Sequence, residues 1–167
     1  DMINDIAGFA EAGAVEAVAA SACGLCVMHM KGEPQTMQQA PAYDDVVSEV
    51  EEFLLGRVEA LTAAGVSPAR IVIDPGIGFG KDTRHNLLLL EALDELVGLG
   101  QAILVGVSRK SLIGELTGRP VDRRLAGILA AALASVARGA RIVRVHDVAE
   151  TCDALKVWQA IDQAGGC

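Results

Sequence analysis

Polar, charged or sulfur-containing side chains stand near the carboxyl ends of five apolar runs in this sequence. The runs and these residues are "MINDI" (2–6) with Asn4 beside Ile6, "LCVMHM" (25–30) with Met28, "IVID" (71–74) with Asp74, "AILVGVS" (102–108) with Ser108 and then Lys110, and "IVRVHDV" (142–148) with Arg144 and His146. A polar group buried at the end of a strand is destabilising unless it has a partner. Repetition of this feature at the same end of successive strands predicts a converging site.

One half of the predicted site suits a flat heterocycle. Asn4 and Asp74 carry amide and carboxylate groups that can pair with ring N–H and amino groups. Met28 and Phe79 can form apolar walls around such a ring.

The other half is cationic, because Lys110, Arg144 and His146 suit a phosphate or a carboxylate group. Arg144 could instead form a structural salt bridge with Asp147 or Glu150, but strand alternation places Asp147 on the opposite face from Arg144. No serine or cysteine is obviously paired with a base, so the sequence predicts no covalent nucleophile.

The glycine-rich stretch "DPGIGFGK" (74–81) resembles a nucleotide-binding loop but fails both spacing tests. A P-loop needs glycine where Pro75 stands and serine or threonine where Asp82 stands, and the dinucleotide fingerprint needs G-x-G-x-x-G rather than G-x-G-x-G. The glycines instead indicate a tight turn that brings Phe79 over the site.

Helical stretches alternate with the five apolar runs. Their expected ranges are 11–22, 42–64, 84–97, 122–138 and 149–162. Such alternation predicts an α/β fold with parallel strands and crossover helices. Two architectures fit: a small doubly wound sheet, which five units would complete, and a (β/α)8 barrel, of which three units would be lacking.

Composition and charge exclude several classes of protein. The chain has 167 residues, a net charge of −8 and a pI of about 4.8, which disfavours nucleic acid as a partner. No apolar run approaches the roughly 18 residues of a membrane span, and no secretion leader is visible. The cysteines, Cys23, Cys26, Cys152 and Cys167, lack a second ligand pair for zinc. They indicate buried thiols in a reducing compartment, and we expect a cytoplasmic location.

Five segments together resemble the dihydropteroate synthases, the sulfonamide-targeted enzymes of folate biosynthesis. They are "INDI" (3–6), "MHMKGEPQTMQ" (28–38), "DPGIGFGK" (74–81), "GVSRKS" (106–111) and "RVHDV" (144–148), in the order and spacing of that family. The resemblance implies a (β/α)8 TIM barrel. It also implies condensation of 6-hydroxymethyl-7,8-dihydropterin pyrophosphate with p-aminobenzoate to 7,8-dihydropteroate and pyrophosphate.

The resemblance also implies roles for individual residues. Asn4, Asp74 and Lys110 would hold the pterin, Ile6, Met28 and Phe79 would pack around it, Arg144 and His146 would bind pyrophosphate, and Ser108, Lys110 and Phe79 would border p-aminobenzoate. Asp74, Lys110, Arg144 and His146 would be the catalytic group. Mg²⁺ is the implied cofactor. A homodimer is expected, and the apolar helix "AGILAAALASVA" (126–137) would suit its interface.

The family's first strands and loops, including the asparagine associated with magnesium, have no counterpart here. The chain therefore resembles units four to eight of the barrel, as a single N-terminally incomplete domain over 1–167, and we expect it to be inactive alone. Two alternatives are a methyltetrahydrofolate-binding methyltransferase domain and a non-catalytic pterin-binding fragment. "SRKS" and "RVHDV" occurring together oppose the methyltransferase.

Overall fold

The computed structural model describes residues 1–32, 37 and 41–164. Within these ranges five strands form one sheet: β1 (Met2–Asp5), β2 (Gly24–Met28), β3 (Ile71–Asp74), β4 (Ala102–Val105) and β5 (Ala140–Val143). Every neighbouring pair is parallel, and the spatial order β1-β2-β3-β4-β5 follows the chain. The segment 28–38, used above for the resemblance, lies partly outside the described residues.

Six α-helices lie between successive strands in the described residues, and a seventh follows β5. They are α1 (Ala14–Ala19), α2 (Val46–Ala63), α3 (Thr83–Glu91), α4 (Leu93–Val97), α5 (Ser111–Thr117), α6 (Leu125–Ala137) and α7 (Val148–Ala164). Two aspartates fix helix starts: Asp45 accepts hydrogen bonds from the first turn of α2, and Asp82 forms a capping box with His85 at α3. No helix of the described residues is long and apolar enough to cross a membrane.

The two faces of the sheet differ in what covers them. One face, which includes Leu25, Ile73 and Val105, packs with helix residues in the main hydrophobic core. On the other face, Cys26, Val72 and Leu104 form a separate small cluster that contains no helix residue. We call this second face the concave face.

This arrangement decides between the two architectures. A doubly wound sheet reverses its strand order and carries helices on both faces. A sequential parallel sheet with helices on one face is the geometry of a barrel wall. The expected α/β barrel fold is confirmed. β1 and β5 form the two edges of the described sheet, and apolar side chains at β1, Met2 and Ile3, are exposed.

Helix α5 was missed by the sequence interpretation, which gave no helix between 108 and 122. Its short sequence contains Gly114, a poor helix former. The guanidinium of Arg124 packs where a Cβ at position 114 would lie, so that a larger residue would have to displace that side chain. The expected helix over 84–97 is also divided, because Ala92 ends α3 and precedes α4.

The fourth and fifth strands end earlier than expected, at Val105 and Val143. Ser108, Lys110 and His146 therefore lie in loops beyond the strands. The backbone N–H of Arg144 still donates to the carbonyl of Val105, at 2.9 Å. The segments that follow β4 and β5 therefore remain adjacent beyond the ends of the two strands.

Candidate functional site

Strand β3 delivers Asp74 to the carboxyl-end edge of the concave face. Its register partner on β2 is Met28, and both side chains are buried. Oδ1 of Asp74 accepts a hydrogen bond from the Gly76 amide at 2.8 Å. Oδ2 is buried without a hydrogen-bond partner among the described residues, and the nearest cation, Nη2 of Arg144, lies 3.5 Å away. One carboxylate oxygen is therefore fixed by the loop, and the other has an unused acceptor position beside Arg144.

Burial raises the pKa of Asp74 above its ordinary value. The Gly76 amide acts in the opposite direction, as do the positive charges of Arg144, Lys110 and Lys81. Surrounding cations therefore favour the ionised carboxylate, the form that accepts hydrogen bonds from N–H groups.

The glycine-rich loop, residues 75–80, follows Asp74 and approaches the neighbouring backbone closely. Gly76 and Gly80 have φ of 68° and 64°, in the left-handed region. A Cβ on Gly76 would overlap the carbonyl oxygen of His29, and one on Gly80 would overlap that of Lys31. The interpretation of these glycines as a tight turn is confirmed.

Lys110 extends across this loop. Its ammonium donates to the carbonyl of Ile77 and lies 4.3 Å from the ring centroid of Phe79. Burial lowers the pKa of Lys110 to about 8, while Asp74 opposes the shift. The stem of Lys110 also lies where a Cβ on Gly78 would be, 2.8 Å from its Cδ. The loop and Lys110 thus form one packed wall.

Arg144 and His146 follow β5. The guanidinium of Arg144 packs over Gly106, where an added Cβ would lie 3.0 Å from Nη2. The ring Nδ1 of His146 lies 2.9 Å from Oγ of Ser108, and the same oxygen accepts from the His146 backbone N–H at 3.2 Å. The sequence interpretation found no serine paired with a base, which the structure corrects. Because Ser108 is buried and holds two groups of His146, its evident role is to orient that ring.

The alternative role for Arg144, a structural salt bridge with Asp147 or Glu150, can be checked against the salt bridges of the described residues. Asp147 pairs with Arg109 at 3.3 Å, whereas Arg144 lies beside Asp74. The prediction that Arg144 and Asp147 do not form a salt bridge is therefore confirmed.

Five of the predicted site residues line one cavity of about 260 Å³. They are Phe79, Ser108, Lys110, Arg144 and His146, together with Gly106 and Val145. Asp74 does not line this cavity, but its Oδ2 lies 3.5 Å from Nη2 of Arg144, which does. Asn4 pairs in register with Cys26, which places it on the concave face of β1, and Ile6 is exposed just beyond that strand. The structure thus brings together the anion half and Asp74, while Asn4 and Ile6 lie further along the same edge.

Two buried residues behind the loop were not singled out from the sequence. Lys81 is 2% exposed, and its Nζ lies 2.8 Å from Nδ1 of His29 and 3.1 and 3.0 Å from the carbonyls of Gly76 and Phe79. His29 is also buried and packs edge-on against Phe53. The position of Lys81 directly after the glycines could have indicated a role for it. The sequence interpretation considered Lys81 only as the lysine of a nucleotide-binding loop.

Burial, together with the charge of Lys81, lowers the pKa of His29 to about 3. The folded pKa lies below the ordinary value of 6.5, so the unfolded chain binds more protons between these values. The free energy of unfolding should therefore fall as the pH is lowered through this window. In full-length protein, His29→Asn should reduce the loss of stability between pH 7 and pH 5 by about 2 kcal/mol.

Urea denaturation at the two pH values measures this effect, and the exposed His146, changed to Asn, is the matched control. An equal loss of stability in the wild type and in His29→Asn would show that His29 does not contribute to the acid sensitivity.

The chain was also compared with known proteins. A family model described as pterin binding enzyme matches residues 1–146. The chain belongs to the pterin-binding enzyme family.

Its curated relatives are more specific. The dihydropteroate synthase of Neisseria meningitidis serogroup B is 55% identical over 166 residues, which cover 96% of this chain and 58% of the relative. The dihydropteroate synthase of Escherichia coli K12 is 45% identical over 159 residues, which cover 95% of this chain and 56% of the relative. The chain thus spans a little under three fifths of the length of these relatives. They confirm the resemblance drawn from the five motifs.

Solved structures agree with this result. Dihydropteroate synthase from Stenotrophomonas maltophilia superimposes with a TM-score of 0.94 at 52% identity, covering 96% of this chain and 61% of that one. The enzyme from Xanthomonas albilineans in complex with 7,8-dihydropteroate gives a TM-score of 0.90 at 49% identity, covering 96% and 59%.

Proposed function

We propose that this chain forms the greater part of the active site of a dihydropteroate synthase, completed by the rest of a (β/α)8 barrel. The single observation that carries the proposal is the buried carboxylate of Asp74, whose Oδ2 has an unused acceptor position beside Arg144. A buried carboxylate with one oxygen that lacks a hydrogen-bond partner among the described residues fits the adjacent N–H and amino groups of a pterin ring.

In the proposed reaction, residues at the carboxyl end of β3 bind the pterin and stabilise the positive charge that develops on it. Asp74 accepts from the ring, Met28 lies beside it, and Asn4 offers a further amide on the same face. Loss of pyrophosphate from the substrate develops positive charge on the pterin. A carboxylate fixed by the Gly76 amide stabilises that charge without reorganisation.

Arg144 and His146 bind the leaving pyrophosphate in the proposed reaction. The guanidinium presents several N–H donors, and Ser108 holds the ring of His146 toward the same cavity. Stabilising the departing charge favours cleavage of the carbon–oxygen bond. The amine of p-aminobenzoate then attacks the pterin carbon.

Support for the second substrate comes from relatives. The Xanthomonas albilineans enzyme has been solved with 4-aminobenzoic acid, at 49% identity to this chain. In this chain Lys110 and Phe79 form a cation–π wall that can border such an aromatic ring. Ser108 was assigned to the same subsite, and that assignment stays a prediction because its hydroxyl is engaged with His146.

Magnesium does not fit the described residues alone. They contain no group of three or more His, Cys, Asp or Glu side chains that could hold a metal ion. Mg²⁺ remains an expectation from the resemblance, and no step above depends on it.

The homodimer and the cytoplasmic location are likewise proposals. Exposed Leu87 and Leu116 beside α6 would suit an apolar contact between subunits.

The test of this function uses the full-length protein with the pterin pyrophosphate, Mg²⁺ and labelled p-aminobenzoate. Labelled dihydropteroate and pyrophosphate should form in equal amounts. Methyl transfer from methyltetrahydrofolate to a corrinoid protein would favour the methyltransferase instead. Bound pterin with neither reaction would favour a non-catalytic pterin-binding protein.

Arg144→Ala should weaken binding of pyrophosphate by about 10- to 100-fold, the effect of losing one or two hydrogen bonds to a charged group. Its effect on a pterin without phosphates should be smaller. Isothermal titration calorimetry on the full-length protein measures both affinities. Arg141 lies on β5, three positions before Arg144, and strand alternation places it on the opposite face, so Arg141→Ala is the matched control. Equal losses for both ligands would contradict the assignment of Arg144 to pyrophosphate.

A further inference from the structure

The buried lysine behind the glycine-rich loop has no part in the function proposed above. Long cationic side chains are rarely buried completely unless they are paired, yet Lys81 is 2% exposed. No acidic side chain within salt-bridge distance of Lys81 is found in the described ranges. Its amino group is surrounded by neutral acceptors instead.

The hydrogen bonds of Lys81 span the two ends of the loop. Nζ binds the carbonyl of Gly76 at 3.1 Å and the carbonyl of Phe79 at 3.0 Å. Gly76 in turn donates its N–H to Oδ1 of Asp74. One amino group therefore connects the residue that fixes the carboxylate with the residue that carries the aromatic wall.

The third contact ties the loop to the neighbouring strand. Nζ of Lys81 lies 2.8 Å from Nδ1 of His29, whose backbone N–H donates to the carbonyl of Asp74 at 3.0 Å. An ammonium has three hydrogens to donate, and here three acceptors are within reach. The geometry therefore matches a charged Lys81 and a neutral His29 with its hydrogen on Nε2.

We propose that Lys81 is a positioning residue of the pterin site: its buried ammonium fixes the glycine-rich loop that holds Asp74 and adds to the positive charge that Arg144 and Lys110 place near that carboxylate. The inference rests on the proposed function, because it assigns to Asp74 the task of accepting hydrogen bonds from a pterin.

The same geometry allows Lys81 and His29 together to carry only one positive charge, because their facing nitrogens, Nζ and Nδ1, can share only one hydrogen. When Lys81 is an ammonium, Nδ1 of His29 must accept. When Lys81 loses its proton, its amine donates to the two carbonyls, and its lone pair requires a hydrogen on Nδ1. Deprotonation of Lys81 is thereby coupled to a change of the His29 tautomer from Nε2–H to Nδ1–H. Burial lowers the pKa of Lys81 to about 7, which places this change in an accessible range.

Other charged groups also act on this pair. Asp74 raises the pKa of Lys81 and Lys110 lowers it. On the His29 side, Lys31 lowers the pKa of the ring and Glu49 raises it. The Tyr43 ring packs nearby, with its pKa raised to about 12 by burial, so that it stays neutral through the range of interest.

The first experiment needs no ligand. In full-length protein labelled with ¹⁵N-histidine, NMR should show Nδ1 of His29 unprotonated at pH 6 and protonated above pH 8. Lys81→Met should abolish this change. A hydrogen on Nδ1 at pH 6, or one tautomer throughout, would overturn the proposed coupling.

The second experiment measures the affinity for 6-hydroxymethylpterin by calorimetry between pH 6 and pH 9. Lys81→Met should weaken binding about tenfold at pH 6, the effect of losing one well-placed hydrogen bond to the Asp74 carboxylate, and the ratio to wild type should shrink above pH 8. Ionisation of the ligand cancels because the ratio is taken at each pH. The matched control is Lys31→Met, which removes an exposed lysine paired with Glu49 and should change the affinity less than twofold at any pH.

A purely structural role would give a ratio for Lys81→Met that does not depend on pH, and this result would overturn the proposal. Should Lys81→Met fail to fold, His29→Asn and His29→Leu replace it. Asn retains an acceptor near the position of Nδ1 and should bind pterin more tightly than Leu does, whereas equal affinities would overturn the proposal. If the wild type binds no pterin at all, the proposed function itself fails, and the NMR result shows separately whether Lys81 and His29 are coupled.

Discussion

Asp74→Asn is expected to lower kcat/KM of the full-length protein in the proposed reaction by at least about 100-fold, because one or two hydrogen bonds to a charged acceptor and the stabilisation of developing positive charge are lost together. The amide also places an NH₂ group where a pterin N–H must donate. The fold should survive, since the substitution removes a buried charge and leaves the shape almost unchanged. Initial rates with both substrates varied give the effect.

The control makes the same substitution eight positions along the chain. Asp82 caps α3 at the far end of the glycine-rich loop, and asparagine caps helices about as well as aspartate. Asp82→Asn should therefore keep both activity and stability. If Asp74→Asn kept nearly full activity in a folded protein, the pterin assignment at β3 would be wrong.

Gly76→Ala should destabilise the full-length protein by about 3 kcal/mol or more, because strain at a positive φ adds to a backbone clash. The added Cβ would overlap the carbonyl oxygen of His29, which is itself held in place by strand β2 and its neighbours. Relief of the clash must move the loop that fixes Asp74. Urea denaturation measures the change in the free energy of unfolding.

Gly65→Ala separates the two causes. Gly65 also has a positive φ, of 90°, but nothing lies within 4 Å of its added Cβ. This control should cost only about 1 kcal/mol, from φ alone. Equal losses at the two positions would mean that the close approach of the loop to His29 is not tight.

Much of the site was predictable because the chemistry coincides with strand ends. The apolar run 71–74 places Asp74 at its last position, and the parallel register then sets it beside Met28. The stretch "DPGIGFGK" does not match the spacing of either nucleotide-binding loop, and the remaining interpretation, that its glycines form a close turn, was correct. Alternation along "IVRVHDV" likewise predicted that Arg144 and Asp147 would not pair.

The contacts that the sequence could not predict join residues far apart in the chain. Ser108 and His146 are separated by 38 positions, and His29 and Lys81 by 52. No local pattern encodes such pairs, because their distance depends on how adjacent strands and loops pack. Helix α5 was missed for a related reason: Gly114 opposes a helix locally, and the guanidinium of Arg124, ten positions later, packs against it.

The central claim, that a pterin ring binds to Asp74 at the carboxyl end of β3, is tested most directly by a crystal structure of the full-length protein with 6-hydroxymethylpterin. Oδ2 of Asp74 should lie within roughly 3.2 Å of a ring or amino nitrogen of the pterin, the usual limit for such a hydrogen bond. A pterin bound elsewhere, or one bound in this cavity without contact to Asp74, would contradict the account.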